Sequence, residues 1–505
     1  MAVSDRTSSE EIMCSMHSGV NKNPTSLVRR DTDDSDSGSD VSDLVELSDS
    51  RDAMGPYTNC DRDAMGPYTN CGQWAFRLWI ALYAIFGERS LSCLRRHVSA
   101  SSHFSGQGTF EVALTFLKAA AVGLSMPELR VRNIFACDSS PGCRRVLQQR
   151  LGGTCIYKDI MAMLGWGTAS STCVQKGRLD YEAACRRVAS ASIVAAPCHT
   201  HGSCCPVRAP DVDVSGSPCT PWSRMLGATR LKRKHPLTLL LLIWCQIILT
   251  LQVPLVIHEN VVGFDVSVLT ELLGHAYEII TLHVSPLHSG YGFLRRPRLY
   301  CVLVLRSTLR IVRDIQKVYD EVVRRTAIHG FAPTTAWPWQ ASDEQLCQAE
   351  NAARKRRRLP PLEAHSEDWS YLLTTKQQGY LDAHMDWWQR RHLGANVPWD
   401  STWVIDLSQR PALTKPSAAQ MPTFRRANSF IWSPARRRWL LPIERAAAMG
   451  FPVFLSSATV AGVPVDAAFA EASPATLGNA MHVANVGYVF LISLACVEPV
   501  TRQHW

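Results

Sequence analysis

One cysteine stands apart by its surroundings, in Asp211-Val-Asp-Val-Ser-Gly-Ser-Pro-Cys-Thr-Pro-Trp-Ser223. Val212 and Val214 alternate with polar neighbours as a short strand does, and Gly216 with Pro218 forms a turn that aims Cys219 off the sheet edge. A thiol so presented is a candidate nucleophile, provided its pKa is lowered or its proton leaves as it attacks. Downstream, Val253-Pro-Leu-Val-Ile-His-Glu-Asn-Val-Val262 reads as a buried strand ending in Glu259 and Asn260. The end of an apolar strand is where an open α/β sheet places its chemistry. Upstream, His103-Phe-Ser-Gly-Gln-Gly-Thr-Phe-Glu111 precedes an apolar helical stretch, Val112 to Val122. Glycines at 106 and 108 let the backbone approach a ligand and free the amides of the helix start to meet it.

Strands and helices must hold these groups in place. Val131 to Ala136 is expected as a strand that ends at Asp138, before a helix from Gly142 to Gln149. An acid at that point can accept hydrogen bonds from ribose hydroxyls. Trp74 to Phe86 is apolar with one arginine, and a helix packed on the catalytic domain is expected there. The strand around His97 to Ser102 is unusually polar. Pro236 to Ile257 contains no charged residue and follows Lys232-Arg-Lys234, so hydropathy alone allows a membrane span. Gln246, Gln252 and Pro254 interrupt it, and a buried helix leading into the strand before Glu259 has the same composition. Val266 to Tyr277 carries apolar residues at helical spacing, and Cys301 to Leu305 reads as a strand.

The 505 residues suffice for two or three domains, and 46% hydrophobic content allows a sizeable core. A net charge of +9 favours a polyanionic partner, nucleic acid before an anionic membrane. The chain begins without a secretory signal, so its 17 irregularly spaced cysteines read as reduced intracellular thiols. Residues up to about 50 are rich in serine and aspartate and read as disordered. A tandem copy of Arg-Asp-Ala-Met-Gly-Pro-Tyr-Thr-Asn-Cys follows, at Arg51 to Cys60 and Arg62 to Cys71. Two short copies are too few for a solenoid and suit a tolerant linker.

Taken in order, these motifs resemble those of the DNA (cytosine-5) methyltransferases. Gly-Ser-Pro-Cys and His-Glu-Asn-Val are similar to that family's Pro-Cys and Glu-Asn-Val motifs. The resemblance implies that Cys219 adds to carbon 6 of cytosine, that Glu259 holds ring nitrogen 3 and the exocyclic amine, and that Asn260 holds the loop. It also implies a loop for S-adenosylmethionine at Phe104, Gly106 and Gly108, with Thr109 where the family has a further glycine. Asp138 would hold the ribose, Asp159 would face the adenine amino group, and Ser217 and Pro218 would lie against the cofactor. Ser289 to Tyr300 stands where the family has Gly-x-Pro-Gln-x-Arg-x-Arg. Arg296 and Arg298 keep the Arg-x-Arg spacing and would meet the target base and DNA phosphate, while Leu294 and Arg295 displace the Pro-Gln. Leu441 to Pro452 resembles the helix that braces the recognition domain, and Leu477-Gly-Asn-Ala-Met-His482 the last motif, which would complete the cofactor pocket through Asn479.

The fold so implied is α/β, a Rossmann-like methyltransferase with a seven-stranded mixed sheet, an inserted target-recognition domain and a disordered N-terminal tail. Its expected parts are the tail at 1–72, a linking helix at 73–98, catalytic segments at 99–305 and 437–505, and a recognition region at 306–436. That region interleaves Arg306, Arg310, Arg313, Arg324, Arg325 and Arg354-Lys-Arg-Arg-Arg358 with Trp337, Trp339, Trp369, Trp387, Trp388, Trp399, Trp403 and Trp432. Basic groups among planar side chains suit phosphate and base contact, and the run at 354–358 also reads as a nuclear-localisation signal. Double-stranded DNA is the expected partner, the nucleus the expected location, and no membrane is expected. Cys198-His-Thr-His-Gly-Ser-Cys-Cys205 gathers potential zinc ligands, but the spacing fits no standard two-pair module. These are taken as buried or loop thiols, with no metal assigned. Two other readings stand beside the first: an RNA cytosine-5 methyltransferase, whose tRNA-directed branch carries a Cys-Phe-Thr absent here, and a non-catalytic DNA-binding relative.

Overall fold

The strand expected ahead of Cys219 lies at the centre of a seven-stranded sheet in the computed structural model. Residues 70–500 are described, apart from 92–93, 95, 127, 166–172, 224–230, 328–337, 392–402, 414–419, 426–428 and 469–476. The acidic tail, nearly all of the tandem repeat, Trp337 and Trp399 lie outside the described residues. In chain order the strands are β1 (Val98–His103), β2 (Val131–Cys137), β3 (Cys155–Tyr157), β4 (Val212–Ser215), β5 (Leu255–Val261), β6 (Tyr277–Val284) and β7 (Arg298–Leu305). Across the sheet they run β6-β7-β5-β4-β1-β2-β3. β7 alone runs against the direction of the other six. The strand order reverses at β1 and β4, so their carboxyl ends flank the crevice where such sheets bind ligands.

Alternating residues send each strand's side chains into one of two cores. Leu255 and Ile257 of β5, with Tyr300, Val302 and Val304 of β7, face a core closed by α1 (Trp74–Ser90), α2 (Thr109–Gly123) and the late helix Val483–Ala495. Val256, Leu299, Cys301 and Leu303 face the other, closed chiefly by α3 (Thr238–Leu251). That helix and β5 together account for the uncharged run 236–257. Among the described residues no helix is long and apolar enough to cross a membrane. On the first face Trp74 presses so close to Gly487 that a Cβ there would lie 2.3 Å from the indole. Only glycine fits that crossing.

The polar character of β1 has a structural reason. Ser101 Oγ donates to Asp213 Oδ2 at 2.6 Å and His103 Nδ1 meets the same oxygen at 2.7 Å, with the side chains of His103 and Asp213 fully buried. Ser215 Oγ and Trp244 Nε1 serve Asp213 Oδ1. A central strand can carry serines and a histidine when its neighbour supplies their partners.

Two expectations shift. The helix expected over 266–277 stops at Leu273 (Ser267–Leu273), and Tyr277 instead opens β6, a strand sequence reading did not foresee. Leu309–Ile311 pairs with Val497–Pro499, and the helix Ile315–Thr326 packs in the first core, so both pack with the main body. A separate small core follows: Leu346, Trp369, Leu372, Trp403, Ile405, Leu407 and Trp432 pack among helices Asp343–Arg356 and Thr375–Arg391 and three short strands. The expectation that these tryptophans meet bases is corrected for Trp369, Trp403 and Trp432, which are buried as core. Trp339 is buried too, beneath the guanidinium groups of Arg436 and Arg438. Large planar side chains give a small domain much of the apolar burial it needs.

Candidate active site

All the residues singled out for chemistry come to one end of the sheet, because six strands are parallel and β7 starts where they finish. Cys219 follows the turn at the end of β4 and opens the single helical turn Thr220–Trp222, with Pro221 and the buried Trp222 anchoring it. Asn260 Nδ2 donates to Ser217 O at 3.3 Å and Ser217 Oγ at 3.1 Å, and Ser217 Oγ shares a 2.9 Å hydrogen bond with His258 Nε2. His258 and Asn260, two apart on β5, thus hold the cysteine loop from one face. Burial pushes His258 down to about 3, so it braces as a neutral ring.

Glu259 points to the opposite face. In the β5/β7 register it lies beside Tyr300, and Arg298 stands two residues away on the same side. Arg298 Nε approaches Glu259 Oε1 to 3.0 Å, with each side chain about a tenth exposed. Burial raises the Glu259 carboxyl above its ordinary range and outweighs the pull of Arg298 and Arg296. Burial likewise raises the Cys219 thiol, and the charge of Glu259 adds to it against Arg298 and Arg296. The two groups are coupled: a charged Glu259 disfavours the thiolate.

That coupling predicts a pH effect. Above the pH at which Glu259 ionises, Glu259→Gln removes a negative charge beside the thiol, so alkylation of Cys219 by iodoacetamide is expected to begin at lower pH than in the parent chain. Peptide mass mapping of Cys219 across pH measures it; coincident profiles would show that Glu259 does not reach the sulfur electrostatically.

Arg296 departs from expectation. Its guanidinium is fully buried and donates to the carbonyls of Phe424 (3.3 Å), Gly478 (3.1 Å) and Ala480 (2.5 Å). Burial, aided by the like charge of Arg298, pushes it down to about 9. Arg296 therefore ties the last motif and the Phe424 segment to the site. The Ser217 hydroxyl is engaged by Asn260 and His258.

On the other side of the switch point, β1 runs into Phe104, Gly106 and Gly108, which have φ of 54°, 56° and 74°. A Cβ on Gly106 would meet nothing within 4 Å, so this backbone fronts open space. Gly108 starts α2 with no side-chain cap. Asp138, after β2, accepts Gly106 N on Oδ2 and Ser140 N on Oδ1, each at 2.8 Å. Asp159, after β3, accepts Met161 N at 2.9 Å. Burial raises both carboxyls, and backbone amides partly offset it. Pro218 is half-buried beside the turn, and Asn479 is exposed in the turn before the last helix.

Sequence reasoning missed Glu111, His258 and Tyr300. Glu111 accepts Ser102 Oγ at 2.6 Å on Oε1, while its buried Oε2 has no partner among the described residues. The Tyr300 hydroxyl, alongside Glu259, is likewise buried without one. A signal existed only for Glu111, an acid in the first turn after the glycine loop.

The order β3-β2-β1-β4-β5, extended by an antiparallel β7 between β5 and β6, is a Rossmann-like methyltransferase fold. No protein-family model matches the chain, and no curated protein sequence matches it. Among solved structures it is similar to the crystal structure of S. pombe Dnmt2 methyltransferase, at 15% identity and a TM-score of 0.36, over 79% of this chain and 98% of that one. The fold assignment rests on the strand order.

Proposed function

We propose that this chain is a DNA (cytosine-5) methyltransferase that attacks a flipped cytosine through Cys219. One observation carries the reading: a loop cysteine after β4 is braced from β5 by Asn260, while the neighbouring Glu259 is paired with Arg298 at the same end of the sheet. Carbon 5 of cytosine is too weak a nucleophile to accept a methyl group unaided. Cys219 forms a bond to carbon 6, and the electrons of the 5,6 double bond move into the ring. Glu259, whose carboxyl burial raises above its ordinary range, donates to ring nitrogen 3 in its protonated form and so stabilises that charge. Arg298 keeps the Glu259 carboxyl in place. Once carbon 5 had gained the cofactor's methyl group, loss of its proton to a base would restore the 5,6 double bond, break the sulfur–carbon bond and return the Cys219 thiolate. A base inside a duplex cannot reach the thiol, so it must leave the stack.

The residues present suit S-adenosylmethionine: open space before Gly106, an uncapped helix start at Gly108, and carboxylates at the ends of β2 and β3. Phe104, Asp138 and Asp159 would hold the nucleoside, and the Gly108 amide region with the unpaired Glu111 oxygen the amino-acid end. When bound, this cofactor supplies an electrophilic methyl group on a sulfonium.

Duplex DNA containing 5-fluorocytosine tests the proposal, because fluorine at carbon 5 blocks release of the cysteine. A denaturation-resistant complex that carries labelled methyl is expected. An adduct on RNA alone would move the substrate to RNA. Cofactor binding with no adduct on either nucleic acid would overturn catalysis and favour a scaffold of the same fold.

A further inference from the structure

At the outer edge of the sheet, away from the crevice, four ligating side chains converge. Cys155 opens β3; Cys198, His201 and Cys205 come from the hairpin formed by Ala196–Pro197 and Cys204–Cys205. Their ligating atoms all lie within 4.8 Å of one another. We propose that Cys155, Cys198, His201 and Cys205 bind one zinc ion through three thiolates and His201 Nδ1, in a closed structural site that fastens the segment between β3 and β4 to the sheet.

Geometry carries the proposal. The sulfurs of Cys205, Cys198 and Cys155 stand 3.3, 3.4 and 3.6 Å from His201 Nδ1. Hydrogen bonding does not account for this, because one ring nitrogen serves one such bond at a time. Tetrahedral zinc, with Zn–S of about 2.3 Å and Zn–N of about 2.0 Å, places sulfur and nitrogen about 3.5 Å apart. The cluster has the dimensions of a coordination shell. The hairpin is docked independently of any ion: Lys158 N donates to Pro197 O at 3.0 Å, Thr200 Oγ1 to Thr154 O at 2.7 Å and Tyr157 Oη to Pro206 O at 2.7 Å. The ligands are thus pre-positioned, and the hairpin covers the edge strand β3, whose open side would otherwise invite pairing with another chain. His199 and the exposed Cys204 stand outside the cluster.

Neither zinc content nor coordination depends on the catalytic reading. Full-length reduced protein is expected to purify with one zinc per chain, and X-ray absorption to show three sulfurs at about 2.3 Å and one nitrogen at about 2.0 Å. Metal-free protein titrated with Co²⁺ should develop the visible bands of tetrahedral thiolate coordination. Cys155→Ser should lose the zinc, Cys204→Ser should keep it, and His201→Cys should keep a tetrahedral site made of sulfur alone, which guards against a Cys155 variant that merely fails to fold. A folded parent chain that takes up neither zinc nor Co²⁺, a disulfide between two of the three cysteines, or full zinc retention in Cys155→Ser would overturn the assignment.

Discussion

Cys219→Ser is expected to form no covalent complex with 5-fluorocytosine DNA and to transfer methyl at least on the order of 10³-fold more slowly than the parent chain. The hydroxyl is a far poorer nucleophile than the thiol at neutral pH. The substitution is nearly isosteric. Cys219 lies outside both main cores, and its loop is held by Asn260, Ser217 and Trp222, so thermal stability should stay within about 1 kcal/mol of the parent. Rate and stability therefore separate. A stable Cys219→Ser chain that still forms the adduct would remove Cys219 from the mechanism. The rate of the parent chain should also pass through a maximum with pH, rising as the thiol ionises and falling as Glu259 loses the proton it donates.

The largest expected loss of stability lies at Asp213, which touches no substrate. Asp213→Ala leaves His103, Ser101, Ser215 and Trp244 without their shared acceptor inside the sheet. Breaking a buried pair of this kind costs about 3–5 kcal/mol, enough to unfold a marginal domain. Denaturant unfolding would measure it, and a cost below about 1 kcal/mol would show that the network is not what supports β1 against β4. The pH dependence has a definite sign. Burial alone would raise Asp213, but the facing His103 and the hydroxyls outweigh it and hold the carboxyl below its ordinary value of 3.8. A lowered carboxylate contributes fully at neutral pH, and its contribution fades as pH falls below the ordinary value toward the lower folded one. Asp213→Ala should therefore flatten the acid limb of the stability curve.

Glu259, Asn260 and Cys219 were legible because each follows or ends a short apolar strand, and local alternation makes such strands readable. The glycine loop and Asp138 were legible for the same reason, each adjoining an element with a clear period. Sequence alone thus determined the order of the motifs, the helix-then-strand identity of 236–257 and the single cysteine set on a turn. What it could not determine depends on residues far apart in the chain. Arg296 and Arg298 have the same type and stand two residues apart, yet one turns to Glu259 and the other is buried against carbonyls more than a hundred residues away. Trp369, Trp403 and Trp432 looked like part of a binding face until the small core closed around them. Cys155 gave no hint of joining Cys198, His201 and Cys205. Pairwise register, burial and the gathering of side chains from separate strands are products of long-range packing, and local periodicity carries no record of them.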